Sequence, residues 1–102
     1  LIVPSSVVPP FNSQNKWVEK VEDTTFDNYV SWLMIAASVS LTNCPSIALA
    51  TSFSKDNAPF GIQIVAPPQE EQKLINFAKS LEENINISDM VPININNENI
   101  RV

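Results

Sequence analysis

A single glycine, Gly61, serves all 102 residues of this chain. Glycine is used where a backbone must turn sharply or be approached closely by another segment. It stands in "NAPFGIQIVAPP", two residues after Pro59 and at the head of an apolar run. Two explanations compete. Gly61 either meets a local need of a hairpin or belongs to a motif of something larger. The same scarcity has a chemical consequence, because there is no glycine-rich turn to supply the backbone N–H donors of an oxyanion hole.

The residues around Gly61 define the clearest elements. "SIALATSF" (46–53) and "PFGIQIVA" (59–66) have strand length and are divided by the polar loop "SKDNA", which reads as a β-hairpin. Pro67 and Pro68 stop the second strand. "QEEQKLINFAKSLEEN" then places Leu74, Phe77, Ala78, Leu81 and Ile85 on one helical face. Two glutamates fall in its first turn, where the helix dipole favours anions.

Upstream, "LIV" reads as a short strand ended by Pro4, and with no turn residue before it the chain is expected to have been cut from a longer one. Residues 5–24 lack periodicity and read as a long loop pinned by Phe11 and Trp17. From Phe26 the period becomes helical: Phe26, Tyr29, Val30, Leu33 and Ala37 form a stripe, with Thr24 or Thr25 as N-cap. Met34 and Ile35 widen the apolar surface, so this helix is expected to be buried on much of its circumference. After residue 86 the chain is polar and asparagine-rich. It reads as an irregular tail with a short strand at "PININ" (92–96), and the glycosylation triplet Asn86-Ile87-Ser88 is assigned to chance.

Composition excludes several chemistries. The length suits one small domain with a modest core. A formal charge of −5 argues against nucleic acid and against a polybasic membrane anchor. Histidine is absent, so no Ser-His-Asp, Cys-His or zinc-histidine site can be built from these residues alone. Cys44 is the one cysteine and reads as a small apolar filler. The amino-terminal apolar run is broken by Pro4, Pro9 and Pro10 and fits neither a signal peptide nor a membrane span.

Two serine motifs are tempting and both are rejected. Ser54 and Lys55 are adjacent, so in extended backbone they point to opposite faces. Ser5 and Ser6 have no oxyanion donors beside them. Both pairs read as structural polar residues. Glu70, Glu71, Glu82 and Glu83 read as a solvated helix surface without metal spacing.

The order of elements, and the residues at their junctions, resemble the C-terminal part of the amidase signature family. The resemblance is carried by "LIVPSS", "NYVSWL", "LTNCPSIALATSFSKDNAPFGIQIVAPP" and the amphipathic helix that follows, from residue 1 to about residue 83. Tyr29, Trp32, Leu41, Thr42, Pro45, Phe53, Pro59, Gly61 and Gln63 match family positions. In that reading Gly61 sits where the second hairpin strand presses on neighbouring backbone. Family glycines are replaced by Asn43, Ser52, Asn57 and Ala66, and the proline closing the first strand by Ala50. Asn43 and Asn57 tolerate positive φ; Ser52 and Ala66 are harder to accommodate. An acidic residue common beside the family tryptophan is replaced by Ser31.

The resemblance implies an α/β fold: the C-terminal part of an amidase-signature α/β/α sandwich (strand, helix, β-hairpin, helix), incomplete on its own. Residues 1–86 would form the C-terminal portion of an amidase domain and 87–102 the tail. It further implies a hydrolase of carboxamide C–N bonds whose Ser–Ser–Lys machinery lies upstream, so that no catalytic residue, metal ligand or cofactor is expected in this chain. Trp32, Leu33 and Met34 are the candidate substrate-binding residues, an apolar pocket wall suited to an uncharged amide, with core packing as the competing role. The expected partners are the remainder of the amidase polypeptide and, in the complete enzyme, a small-molecule amide. Nucleic acid and a membrane span are not expected, a homo-oligomer is left open, and the expected compartment is cytoplasmic. The alternative is a non-catalytic remnant or subunit that binds a protein partner through exposed sheet edges.

Overall fold

The computed structural model describes residues 1–56 and 58–86; Asn57, the tail at 87–102 and most of the glycosylation triplet lie outside them. The expected hairpin is present. β4 (Ser46–Phe53) and β5 (Pro59–Val65) pair antiparallel, Ile47 opposite Ile64 and Leu49 opposite Ile62, with a bulge between Ala50 and Ser52. Its loop is organised by Ser54. The Ser54 hydroxyl accepts from the backbone N–H groups of Asp56 (3.2 Å) and Ala58 (3.1 Å), and Ser54 N–H donates to the Ala58 carbonyl (2.9 Å). A serine so engaged is a turn residue.

The expected amino-terminal strand, β1 (Ile2–Pro4), adds to the other side of β5, giving a three-stranded antiparallel sheet in the order β1-β5-β4. Gly61 therefore lies on the central strand. A Cβ there would stand 3.0 Å from the Leu49 carbonyl oxygen and 3.0 Å from Ser5 Oγ. Its φ is not positive. Close approach, not turning, is what requires the glycine.

Period-two alternation sorts the sheet residues. Ile47, Leu49, Ile62 and Ile64 face α2 (Glu71–Ile85), and with Leu74, Ala78, Leu81 and Ala66 they make the core. Ile64, Leu74 and Ala78 are its buried centre. Phe77, placed in the buried stripe by its spacing, is instead 49% exposed. α2 lies over β4 and β5, and on a sheet of three strands none of the described residues covers Phe77 beyond the β1 side. The helix begins later than the glutamine-led pattern suggests. Gln69 has φ 68° in a turn closed by Glu70 N–H to the Pro67 carbonyl, and this left-handed residue holds the helix start at Glu71. Asn86, at φ 60°, closes the other end.

α1 spans Tyr29–Ser40, which corrects the expected start at Phe26. Asn28 is the N-cap, its side-chain oxygen accepting from Ser31 N–H at 2.9 Å. Thr24 and Thr25 are used elsewhere: they form β3, paired with β2 (Lys20–Val21) in a small hairpin inside the stretch expected to be irregular. The turn puts Glu22 at φ 50°. The expectation that α1 is buried on much of its circumference is also corrected. No residue of α1 is buried within the described residues, and Tyr29, Val30, Leu33 and Met34 are exposed. The sheet face that bears Gln63 offers small residues such as Ala48, Ala50 and Gly61, too little surface to cover an apolar helix.

Candidate functional site

Trp32, Leu33 and Met34 occupy consecutive positions of α1, so at 100° per residue they fan over more than half of its circumference. Trp32 is half-buried. Phe11 meets it edge-on (centroids 5.6 Å, 88°), and Tyr29 lies tilted against it (5.6 Å, 43°). The indole N–H of Trp32 is buried without a hydrogen-bond partner among the described residues. Leu33 and Met34 are 36% and 42% exposed and stand outside this aromatic group. The structure thus gathers Trp32 with Phe11 and Tyr29 and leaves Leu33 and Met34 on open helix surface. Phe11 stands 21 positions before Trp32, in the stretch without periodicity, so no pattern in the chain signals their contact.

Further clefts border the sheet. One of about 360 Å³ runs beneath α2, lined by Leu1, Ile2, Ile64, Leu74 and Phe77, with Glu70 and Lys73 at its rim. A second, of about 440 Å³, lies between the end of α1 and β5 and includes Thr42, Cys44, Val65 and Pro67. A third, of about 300 Å³, is formed by Pro4–Pro9 against Pro59–Gly61. None brings a nucleophile together with a base. Ser5 instead donates its N–H to the Gly61 carbonyl (3.2 Å) and lies against that glycine, while Ser6 is exposed. Half-buried Glu70 and exposed Lys73 form an ion pair at 3.0 Å, a surface contact of the kind that contributes at most about 1 kcal/mol. Among the described residues no group of three His, Cys, Asp or Glu side chains could hold a metal ion, and no helix is long and apolar enough to cross a membrane.

The junction into β4 shows how the replaced glycines are accommodated. Thr42 caps the end of α1, its hydroxyl donating to the Val39 carbonyl at 2.7 Å and accepting from Cys44 N–H at 3.3 Å. Asn43 follows at φ 56°, the left-handed conformation that asparagine tolerates. Ser52 and Ala66 are not at positive φ, so neither position strains the backbone.

Comparison with known proteins bears on this geometry. The family model described as Amidase matches residues 1–75. The chain is 28% identical over 92 residues to a glutamyl-tRNA(Gln) amidotransferase subunit of Alkaliphilus metalliredigens, covering 90% of this chain and 18% of that protein. The like-named protein of Sulfurimonas denitrificans is 35% identical over 85 residues, 83% of this chain and 18% of its own length. That of Aliarcobacter butzleri is 38% identical over 63 residues, 62% of this chain and 14% of its own. The chain thus spans less than a fifth of the length of these relatives. No solved structure matches it significantly.

Proposed function

The chain belongs to the amidase family, and from that premise we propose that it is the C-terminal segment of a hydrolase that cleaves carboxamide C–N bonds. Residues 1–86 supply scaffold to an α/β/α sandwich completed by polypeptide outside this chain, and the Ser–Ser–Lys machinery belongs to that other portion. The observation that carries the reading is the family match over residues 1–75, which spans every described element up to the first turn of α2. The exposed apolar surface of α1 supports it, because Tyr29, Val30, Leu33 and Met34 are left uncovered by the described residues. The relatives' name, amidotransferase, agrees with chemistry at an amide group.

Within that enzyme, Trp32, Leu33 and Met34 form part of an apolar wall of the substrate pocket, and Ser31 in place of an acid leaves it without charge. The substrate is therefore an uncharged carboxamide. The test is ammonia release from an aliphatic carboxamide and from glutamine by the protein as its gene encodes it. Faster turnover of the aliphatic amide, with a raised KM in Trp32→Ala, is expected; preference for glutamine would overturn the apolar wall. A second reading, a non-catalytic subunit that binds a protein partner, draws on the same uncovered helix and on the free edges of β1 and β4. Failure to hydrolyse either amide would favour it.

A further inference from the structure

Gln63 is the one buried polar side chain among the described residues, at 7% exposure. It sits on the central strand, between Val3 on β1 and Ala48 on β4, and alternation turns it away from the Ile62 and Ile64 side that packs on α2. Its Nε2 donates to the Ile35 carbonyl of α1 at 3.1 Å. That acceptor lies in the middle of a helix, where a carbonyl is ordinarily engaged only by the N–H four residues on. Among the described residues this is the one hydrogen bond between α1 and the sheet, and α1 has no extended contact with any other element. Ile35 directly follows Trp32–Met34.

We propose that Gln63 is a positioning residue: its amide latches α1 to the central strand and thereby fixes where Trp32, Leu33 and Met34 stand. The role assigned to those three rests on the apolar-wall reading above; the latch itself does not. Three features make Gln63 suited to the task. A buried amide N–H in apolar surroundings is costly unless it is paired, so the side chain stays committed to its partner. Its strand is held on both sides, so the donor comes from the most constrained part of the sheet. The small neighbours Ala48 and Gly61 leave room for the side chain to extend towards the helix.

The test compares the wild-type protein, as its gene encodes it, with Gln63→Met and Gln63→Asn. Methionine keeps length and apolar volume but has no donor; asparagine keeps the donor but is one methylene too short. Amide hydrogen exchange within residues 33–40 is expected to quicken at least tenfold in both variants, while protection in β4, β5 and α2 is retained. With an aliphatic carboxamide, KM is expected to rise several-fold and kcat to stay within about twofold. Unchanged exchange in α1 would overturn the latch, as would equal loss of protection throughout the sheet in Gln63→Met, which would make Gln63 an ordinary packing residue. Faster exchange in α1 with an unchanged KM would uphold the latch and overturn the pocket wall, so the two failures are separable.

Discussion

Substituting Gly61 by alanine puts the close approach at the centre of the sheet to a quantitative test. The added Cβ would meet the Leu49 carbonyl oxygen and Ser5 Oγ, each at 3.0 Å. Comfortable carbon–oxygen contacts run at roughly 3.3–3.6 Å, so each is short by about 0.3–0.6 Å. Ser5 can relieve its half by rotating its hydroxyl. The Leu49 carbonyl belongs to the β4 backbone, whose register with Ile62 resists displacement. Overpacking of this kind costs about 1–3 kcal/mol, and the loss of glycine's freedom in the unfolded chain returns about 0.4–1 kcal/mol. The net expectation is a destabilisation of about 1 kcal/mol, within a span of roughly 0–2.6 kcal/mol. It would be read as faster exchange of the Ile62–Val65 amides under conditions where exchange reports opening of the sheet. In a Ser5→Ala background the oxygen on that side is gone, and because the Ser5 hydroxyl already swings aside the cost should change little. An alanine that stabilises the sheet, or one whose cost disappears in the Ser5→Ala background, would refute the argument that the Leu49 carbonyl sets the close approach.

Three other substitutions probe local structure. Asn28→Ala removes the side-chain acceptor for Ser31 N–H and should loosen the first turn of α1 by about 1 kcal/mol, measured as exchange of the Ser31 amide; no change would discount the cap. Ser54→Ala strips two N–H groups of their acceptor and should quicken exchange at Asp56 and Ala58 while leaving amide hydrolysis untouched. Loss of hydrolysis would restore Ser54 as a chemical candidate. Gln69→Gly relieves a non-glycine residue at φ 68° and should stabilise α2 by about 0.5–1 kcal/mol, seen as slower exchange through Glu71–Leu74; destabilisation would show that the Gln69 side chain has a role of its own.

Which parts of this architecture are legible in the sequence follows from how each is specified. β4 and β5 are visible because alternating apolar residues, a polar loop and a stop of two prolines all agree. The face of α2 is visible at Leu74 and Ala78, but Phe77 shows the limit of periodicity: a stripe names a face, and the width of the opposing sheet decides how much of it is covered. The hairpin of β2 and β3 is invisible, since two-residue strands carry no period and its turn uses Glu22 where glycine or asparagine would have announced it. The start of α1 is ambiguous because Thr24, Thr25 and Asn28 can all cap. Asn28 prevails once the threonines are taken into β3. For the candidate site, the sequence marks Trp32 but not its contact with Phe11, nor the reach of Gln63 to Ile35, 28 positions away. Both depend on tertiary placement. Gly61 is the opposite case: its type narrows the need to a sharp turn or a close approach, and the family resemblance selects the close approach.

The most direct measurement sets residues 1–102 alone beside the complete product of the gene and follows ammonia release from an aliphatic carboxamide. If the nucleophile lies elsewhere in a longer polypeptide, only the complete product turns over, and the short chain is inert and melts without cooperativity or aggregates. Turnover by the short chain that survives replacement of Ser5, Ser6 and Ser54, or a sharp monomeric melt, would contradict the account.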